Sequence, residues 1–346
     1  LSFLRNYGET DFITGLRAIA ALMVVCIHTG GFSDLGWVGQ NITGAGKYGV
    51  QVFFVISGFT IAATWTSSGS YREFLVRRMA RIAPAYWAII AIAAILYHAG
   101  LTPTPFFLTE FGMEIGVYNL LMHVTFLSFL DYRIANSILG VEWTIPIEVF
   151  WYIVLPLLLS RVTALRTFLV WLAILLVLAA LTRLVFGVVA ESVAAKWFPT
   201  TFGAYFLLGA ACYRMRDGGW YKVSPMAGAV LWGSVAMFIL VLLSPLPGGG
   251  ALIGLATAGI LLARKDSVGG GLWLDSVPLR FLGTISYSIY LWHLLVIALL
   301  GNAVAEGTLR FGLVAVITVG LSTVTYIVVE RPTNRWGRQA AEKIRG

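Results

Sequence analysis

Ile13-Thr14-Gly15-Leu16-Arg17-Ala18-Ile19-Ala20-Ala21-Leu22-Met23-Val24-Val25-Cys26-Ile27-His28-Thr29-Gly30 is apolar enough to cross a bilayer, yet it carries an arginine and a histidine. Eleven residues on an α-helix are three turns plus about 20°, so Arg17 and His28 project from nearly the same face. They stand roughly 16 Å apart along the axis, about half the hydrocarbon thickness. An ionisable side chain is costly to hold in hydrocarbon, so such a pair points to function by default. The structural alternative is a snorkelling arginine with a histidine hydrogen-bonded inside a bundle.

Working outward, the composition agrees with a membrane protein. Hydrophobic residues make up 59% of the 346 and charged residues 12%, about half the charge of a soluble domain. The net charge of +8 is not a nucleic-acid signal, because Lys and Arg gather in the cytoplasmic loops of membrane proteins. Cys26 and Cys212 both fall in apolar segments, which argues against a stabilising disulfide, and no Cys-x-x-Cys metal motif is present. The first residue is Leu1 rather than Met, so a short stretch is expected ahead of it. The first apolar segment does not read as a cleavable signal peptide.

The expected fold is an all-α integral membrane protein with about ten transmembrane helices, near 13–30, 48–66, 84–100, 143–160, 164–188, 199–213, 224–244, 249–263, 280–301 and 309–329. These form a single membrane domain over 1–346. An eleventh apolar stretch, near 118–131, is short and polar enough to be re-entrant or to lie in an outer loop. Charge arbitrates. If it does not cross and the N-terminus is inside, only Lys47, Arg133, Lys196 and Arg310 face outward. Arg17 and Arg183 then lie within spans, and the other 18 of the 24 basic residues are cytoplasmic. If it crosses, 14 face outward against 8 inward. The positive-inside rule selects ten spans, both termini cytoplasmic and a long outer loop from 101 to 142. Arg78, Arg161, Arg214 and Lys265 should then be inside, and Lys47, Glu114 and Lys196 outside.

Four stretches carry chemistry. With the N-terminus inside, His28 lies in the outer half, where a neutral imidazole can take a proton from a hydroxyl. Arg78 and Arg81, spaced i, i+3 in an inner loop, can share a helical face and bind phosphate oxygens as forks. A basic inner loop kept only for topology and anionic lipid is the alternative. In Glu142-Trp143-Thr144-Ile145-Pro146-Ile147-Glu148, Glu148 is the acid expected well inside a span, and it must be paired or protonated there. An ion pair with Arg183 is its structural reading. In Ser286-Tyr287-Ser288-Ile289-Tyr290-Leu291-Trp292-His293, Tyr290 and His293 share a face. Interhelical hydrogen bonding by these hydroxyls is the rival account. His28, Glu148 and His293 all fall in the outer half by this reading.

With these residues assembled, the chain resembles the acyltransferase family 3 membrane proteins, which acylate bacterial envelope sugars and some natural products. The resemblance rests on five motifs in order. They are Arg17 with His28; Gly49-Val50-Gln51-Val52-Phe53-Phe54-Val55-Ile56-Ser57-Gly58-Phe59; Arg78-x-x-Arg81 with Ile82, Pro84 and Tyr86; Trp143-Thr144 with Glu148; and the serine–tyrosine run ending at His293. The ending Glu330-Arg331-Pro332 also fits. The resemblance implies a catalytic role for His28, with Glu148 and His293 in the reaction centre. Arg78, Arg81 and Arg17 would bind the phosphates of a cytosolic acyl-CoA, the donor substrate. Trp143, Thr144, Ser286, Tyr287 and Tyr290 would support the site, with no metal and no permanently bound cofactor. Two departures stand out: Gln51 where an aspartate is frequent, and a single Glu148 followed by Val149 where an acidic pair is frequent.

The implied protein is an O-acyltransferase of the bacterial inner membrane. Its acceptor is a carbohydrate or glycolipid hydroxyl, and its acyl group is acetyl by default. Its partners are the bilayer, the donor, the acceptor and, where they exist, polysaccharide-assembly proteins; nucleic acid is not among them. The soluble domain that some relatives append is not expected. Two rival classes share the same buried polar groups: a proton-coupled transporter or exporter, and a structural subunit of an assembly complex. A small lipophilic natural product is the alternative acceptor.

Overall fold

A computed structural model describes residues 11–162, 164–189, 192–216, 226–263 and 273–345; Lys265 lies outside them. Among the described residues there are α-helices and no strands. The helices are α1 (Asp11–His28), α2 (Gly36–Ala45), α3 (Gly49–Ser67), α4 (Tyr71–His98), α5 (Phe106–Glu110), α6 (Val117–Val124), α7 (Thr144–Leu159) and α8 (Leu165–Val189). They continue with α9 (Ser192–Lys196), α10 (Gly203–Arg216), α11 (Ala227–Leu243), α12 (Gly249–Ala263), α13 (Val277–Thr284), α14 (Ser286–Leu300), α15 (Thr308–Thr325) and α16 (Arg331–Arg345).

Five helical stretches are long and apolar enough to cross a membrane, and a sixth qualifies if α13 and α14, bent by 70°, act as one span. Three shorter apolar helices, α7, α11 and α12, lie where spans were expected. The ten-span count is therefore not met by helix length. The expected 143–160 span, for example, is a 16-residue helix, about 24 Å long at 1.5 Å per residue. The expected 118–131 segment contains the eight-residue α6 and a 3-10 turn at Ser128–Leu130. Eight residues rise only about 12 Å, too little to cross. On α8, Leu169, Val170, Leu176, Val177, Leu184 and Val188 are all exposed, an outward apolar surface that water would oppose and hydrocarbon accepts.

The chain clusters into two compact units, residues 1–60 with 208–323 and residues 61–207 with 324–346. In the first, glycines let backbones approach closely. A β-carbon at Gly15 would strike the carbonyl of Leu274, and one at Gly283 would strike that of Thr14. Small residues at such contacts bring membrane helices together without a hydrophobic drive. They seat α13 and α14 against α1. The break between α13 and α14 frees backbone groups, and Ser286 Oγ donates to the Gly283 carbonyl at 2.8 Å to satisfy one of them.

In the second unit, α4 begins with a capping box. Glu73 N–H donates to Ser70 Oγ at 3.1 Å, and Gly69 N–H donates to Glu73 Oε2 at 2.7 Å. Its basic run then continues the helix instead of forming a loop, so α4 starts at Tyr71, well before the expected 84. Helix α16 packs on α4 through Gly337, which meets Ala80, and through fully buried Ala341. Trp151, Tyr86, Tyr152 and Phe74 fill the core of this unit.

Candidate active site

In the first unit, the final turn of α1 brings His28 to His293 on α14. The ring centroids are 5.1 Å apart, and His293 Nε2 lies 3.1 Å from His28 Nδ1. Each ring also meets a backbone carbonyl. His293 Nδ1 is 2.7 Å from Tyr290 O, and His28 Nδ1 is 2.8 Å from Val24 O. A carbonyl can only accept, so each Nδ1 must carry its proton. In the neutral pair, His293 Nε2 is then a bare acceptor facing His28 Nδ1–H. His28 Nε2 is left as the basic nitrogen. The partners thus settle a tautomer that coordinates alone do not display.

Access separates the two rings. His293 is fully buried, whereas His28 is half-buried at the helix end. His28 is therefore the one a substrate can reach. Tyr290, buried beside His293 with ring centroids 5.9 Å apart, packs edge-on against Phe53. Three turns back along α1, Arg17 Nε lies 3.4 Å from Ser286 Oγ at the α13–α14 bend. Tyr287 is buried in the same turn of α14.

The remaining sequence-selected residues lie in the second unit. Arg78 is only 6% exposed. Its Nη2 donates to Thr64 Oγ1 at 2.9 Å, and its guanidinium lies 5.2 Å from the Tyr152 ring and 5.9 Å from the Phe74 ring. Such placement suits a planar cation. Tyr152 O–H donates to Glu148 Oε1 at 2.9 Å. The charges of Arg81 and Glu148 both act on Arg78, so the four side chains form one polar cluster. Arg81 is half-buried and more accessible than Arg78. Arg183, the partner considered for Glu148, is exposed on α8. Trp143 packs against Phe202 with ring centroids 5.5 Å apart, and Thr144 is buried at the start of α7.

The structure thus brings His28 together with His293 and Arg17 with Ser286. It places Glu148 with Tyr152, Arg78 and Arg81. Tyr152 was legible as an i+4 neighbour of Glu148, but nothing in the sequence tied Thr64 to Arg78. Six residues before Glu148, Glu142 is fully buried. Glu142 accepts from the N–H groups of Ile138 at 2.6 Å and Val141 at 3.0 Å, with His123 Nε2 3.6 Å away. Both side chains are fully buried, and they lock the segment that precedes α7. Among the described residues no group of three His, Cys, Asp or Glu is placed to hold a metal ion.

A family model described as an acyltransferase domain matches residues 10–327. Nodulation protein 10 of Rhizobium leguminosarum bv. viciae is 27% identical over 94% of this chain and 93% of its own length. The exopolysaccharide production protein of Rhizobium meliloti is 30% identical over 85% of this chain and 91% of its own. A peptidoglycan O-acetyltransferase of Listeria monocytogenes is 26% identical over 83% of this chain. There the match spans 49% of the relative, about half its length. No solved structure shows a significant match.

Proposed function

The chain belongs to this acyltransferase family, and on that premise we propose that it moves an acyl group, acetyl by default, from acyl-CoA to a hydroxyl of an envelope or exported carbohydrate. The enzyme class and the membrane setting follow from the family and the apolar helices. The donor and the acceptor are our reading. Relatives named for peptidoglycan O-acetylation and exopolysaccharide production support the acceptor class.

The observation that carries the mechanism is the His28–His293 contact. His28 Nε2 takes the proton of the acceptor hydroxyl as the oxygen attacks the thioester carbonyl. The resulting imidazolium keeps its Nδ1–H on Val24 O and His293 Nε2. The tetrahedral intermediate collapses, the C–S bond breaks, and the thiolate leaves with the proton held by His28. One ester and one free thiol result. His293 acts by orienting His28, as carboxylates orient histidines in hydrolases. A route through an acyl-imidazole on Nε2 gives the same sum and would release a burst of thiol before acceptor is added.

Arg81, more accessible than Arg78 on α4, is the assigned phosphate contact of the donor, backed by Arg78; we give Glu148 and Tyr152 a supporting role. Arg17 is a further donor contact. Its three-turn separation from His28 is roughly 16 Å. The balance of basic residues supports ten spans, both termini cytoplasmic and a bacterial inner-membrane location.

The test is thioester consumption by the purified protein in nanodiscs. Free thiol should appear from acetyl-CoA in step with ester formation on a saccharide, and His28→Gln should stop both. Loss of the assigned contact, in Arg81→Ala, should weaken donor binding by about 1.5–3 kcal/mol. A wild-type protein that consumes no acyl-CoA would overturn the donor assignment.

A further inference from the structure

We infer that the groove between the 3-10 turn Gly46–Tyr48 and the loop linking α11 to α12 binds the saccharide acceptor; this rests on the acyl-transfer reading above. The groove has a volume of about 290 Å³, at the lower end of ligand pockets, which suits a short stretch of sugar. It belongs wholly to the first unit.

Its lining chemistry narrows the ligand. Gln40, Asn41 and Ser244 offer groups that both donate and accept, matching sugar hydroxyls that also do both. Tyr48 offers an aromatic ring, and Lys47 Nζ lies 5.1 Å from that ring's centroid. Pro245 and Pro247 stiffen the opposite wall. Lys47 is the sole charged residue of the lining. A ligand rich in phosphate would call for more cations, and the apolar side, Val241, Pro245, Leu246 and Pro247, gives the flat faces of sugar rings a surface to lie on.

The groove is also tied to the reacting histidine. Gly46 packs against the carbonyl of Met23, and a β-carbon there would come within 2.9 Å of Ile27 Cβ. Ile27 precedes His28, so the lip of the groove is pressed onto the turn that ends in the base. The two walls are joined by Asn41 Nδ2, which donates to Leu243 O at 2.9 Å. With its amide nitrogen turned inward, Gln51 donates to the carbonyls of Lys47 and Tyr48, each at 3.2 Å. An ionised aspartate at position 51 could not donate to either carbonyl.

The experiment uses the full chain in nanodiscs with two probes, tetra-N-acetylchitotetraose and cellotetraose. Gln40 and Lys47 are exposed, so Gln40→Ala/Lys47→Ala should fold as wild type. The double variant should raise the KM for whichever saccharide is accepted by at least tenfold. The maximal rate at saturating saccharide and the KM for acetyl-CoA should stay within twofold. Saturation-transfer NMR of each saccharide, without donor, should show contact with wild type and lose it in the variant. This arm reads the groove even if acetyl-CoA is not consumed. Contact retained in the variant, or neither saccharide contacting the wild type, would overturn the assignment.

Discussion

The His28–His293 pair and the Arg78–Tyr152–Glu148 cluster are both polar islands among apolar helices, one in each compact unit. They differ in what their bonds leave over. In the first, both Nδ1 protons are committed to carbonyls, and His28 Nε2 remains as a basic nitrogen on a half-buried ring. In the second, the guanidinium is held by Thr64 and two aromatic rings, and the carboxylate accepts a hydrogen bond from the Tyr152 hydroxyl. A site that will react keeps a reachable atom in reserve. A site that holds helices together spends most of its polar atoms on neighbours, and in this one Arg78 Nε is the buried atom that finds no acceptor among the described residues. Burial alone does not tell the two apart, because an ionisable group in a membrane can serve either end.

The largest expected effect is at His28. Neither His28→Ala nor His28→Gln can take the hydroxyl proton, and loss of general-base help costs about 10²–10⁴-fold in rate. Both variants should keep the wild-type melting temperature and donor affinity, since the ring is at a helix end. Gln would preserve a hydrogen bond to Val24 O. Near-normal transfer by a folded His28→Gln protein would remove the distinction drawn between the two islands.

Arg78 should behave in the opposite way. Replacing it with Ala removes its bond to Thr64 and opens space between Phe74 and Tyr152. Losing a hydrogen bond made by a charged group costs about 1.5–3 kcal/mol, so thermal unfolding in detergent should shift clearly downward. Arg78→Lys keeps the charge but loses the planar fork, and should recover only part of the loss. An Arg78→Ala protein with normal stability and lost acyl-CoA binding would make Arg78 a donor clamp after all.

This contrast explains what the sequence made legible. The helical class, the apolar stretches and the choice of Arg17 and His28 all follow from composition and from the rise and pitch of one helix. That His28 meets His293, 265 positions away, does not, because a helical period says nothing about which faces pack together. Arg78 read as one of an exposed pair with Arg81, since a basic run before a span fits a cytoplasmic loop. The capping box at Ser70–Glu73 was the overlooked sign that α4 starts early. The bend at Ile285 was hidden because Gly283 and Ser286 also fit an ordinary membrane helix. Glu142 was passed over because its partners are backbone N–H groups of its own loop, which leave no pattern in side-chain spacing.

His293 tests whether orientation is what the pair supplies. His293→Ala removes the acceptor of His28 Nδ1–H, yet Val24 O still holds that proton in place. A loss smaller than that at His28 is expected, because the base itself remains. In His293→Gln, a side-chain carbonyl can accept from His28 while the amide donates to Tyr290 O. This variant should recover much of the rate, with the acceptor KM unchanged. Equal loss in both variants, at wild-type stability, would mean that His293 handles the proton itself.

The smallest expected effect belongs to Tyr152→Phe. The substitution keeps the ring that faces Arg78 at 5.2 Å, so the cation–π contact survives. Only the hydroxyl that donates to Glu148 is lost. A single net hydrogen bond contributes about 0.5–1.5 kcal/mol, so unfolding should shift modestly while transfer stays within about twofold of wild type. The two readouts separate the roles of the cluster. If Glu148 only supports the fold, stability falls slightly and the rate does not follow. If Glu148 takes part in the reaction, losing the Tyr152 hydrogen bond disturbs its placement at the moment of transfer, and the rate falls far more than stability. A hundredfold loss of transfer by a Tyr152→Phe protein that melts like wild type would therefore move Glu148 from the holding island to the reacting one.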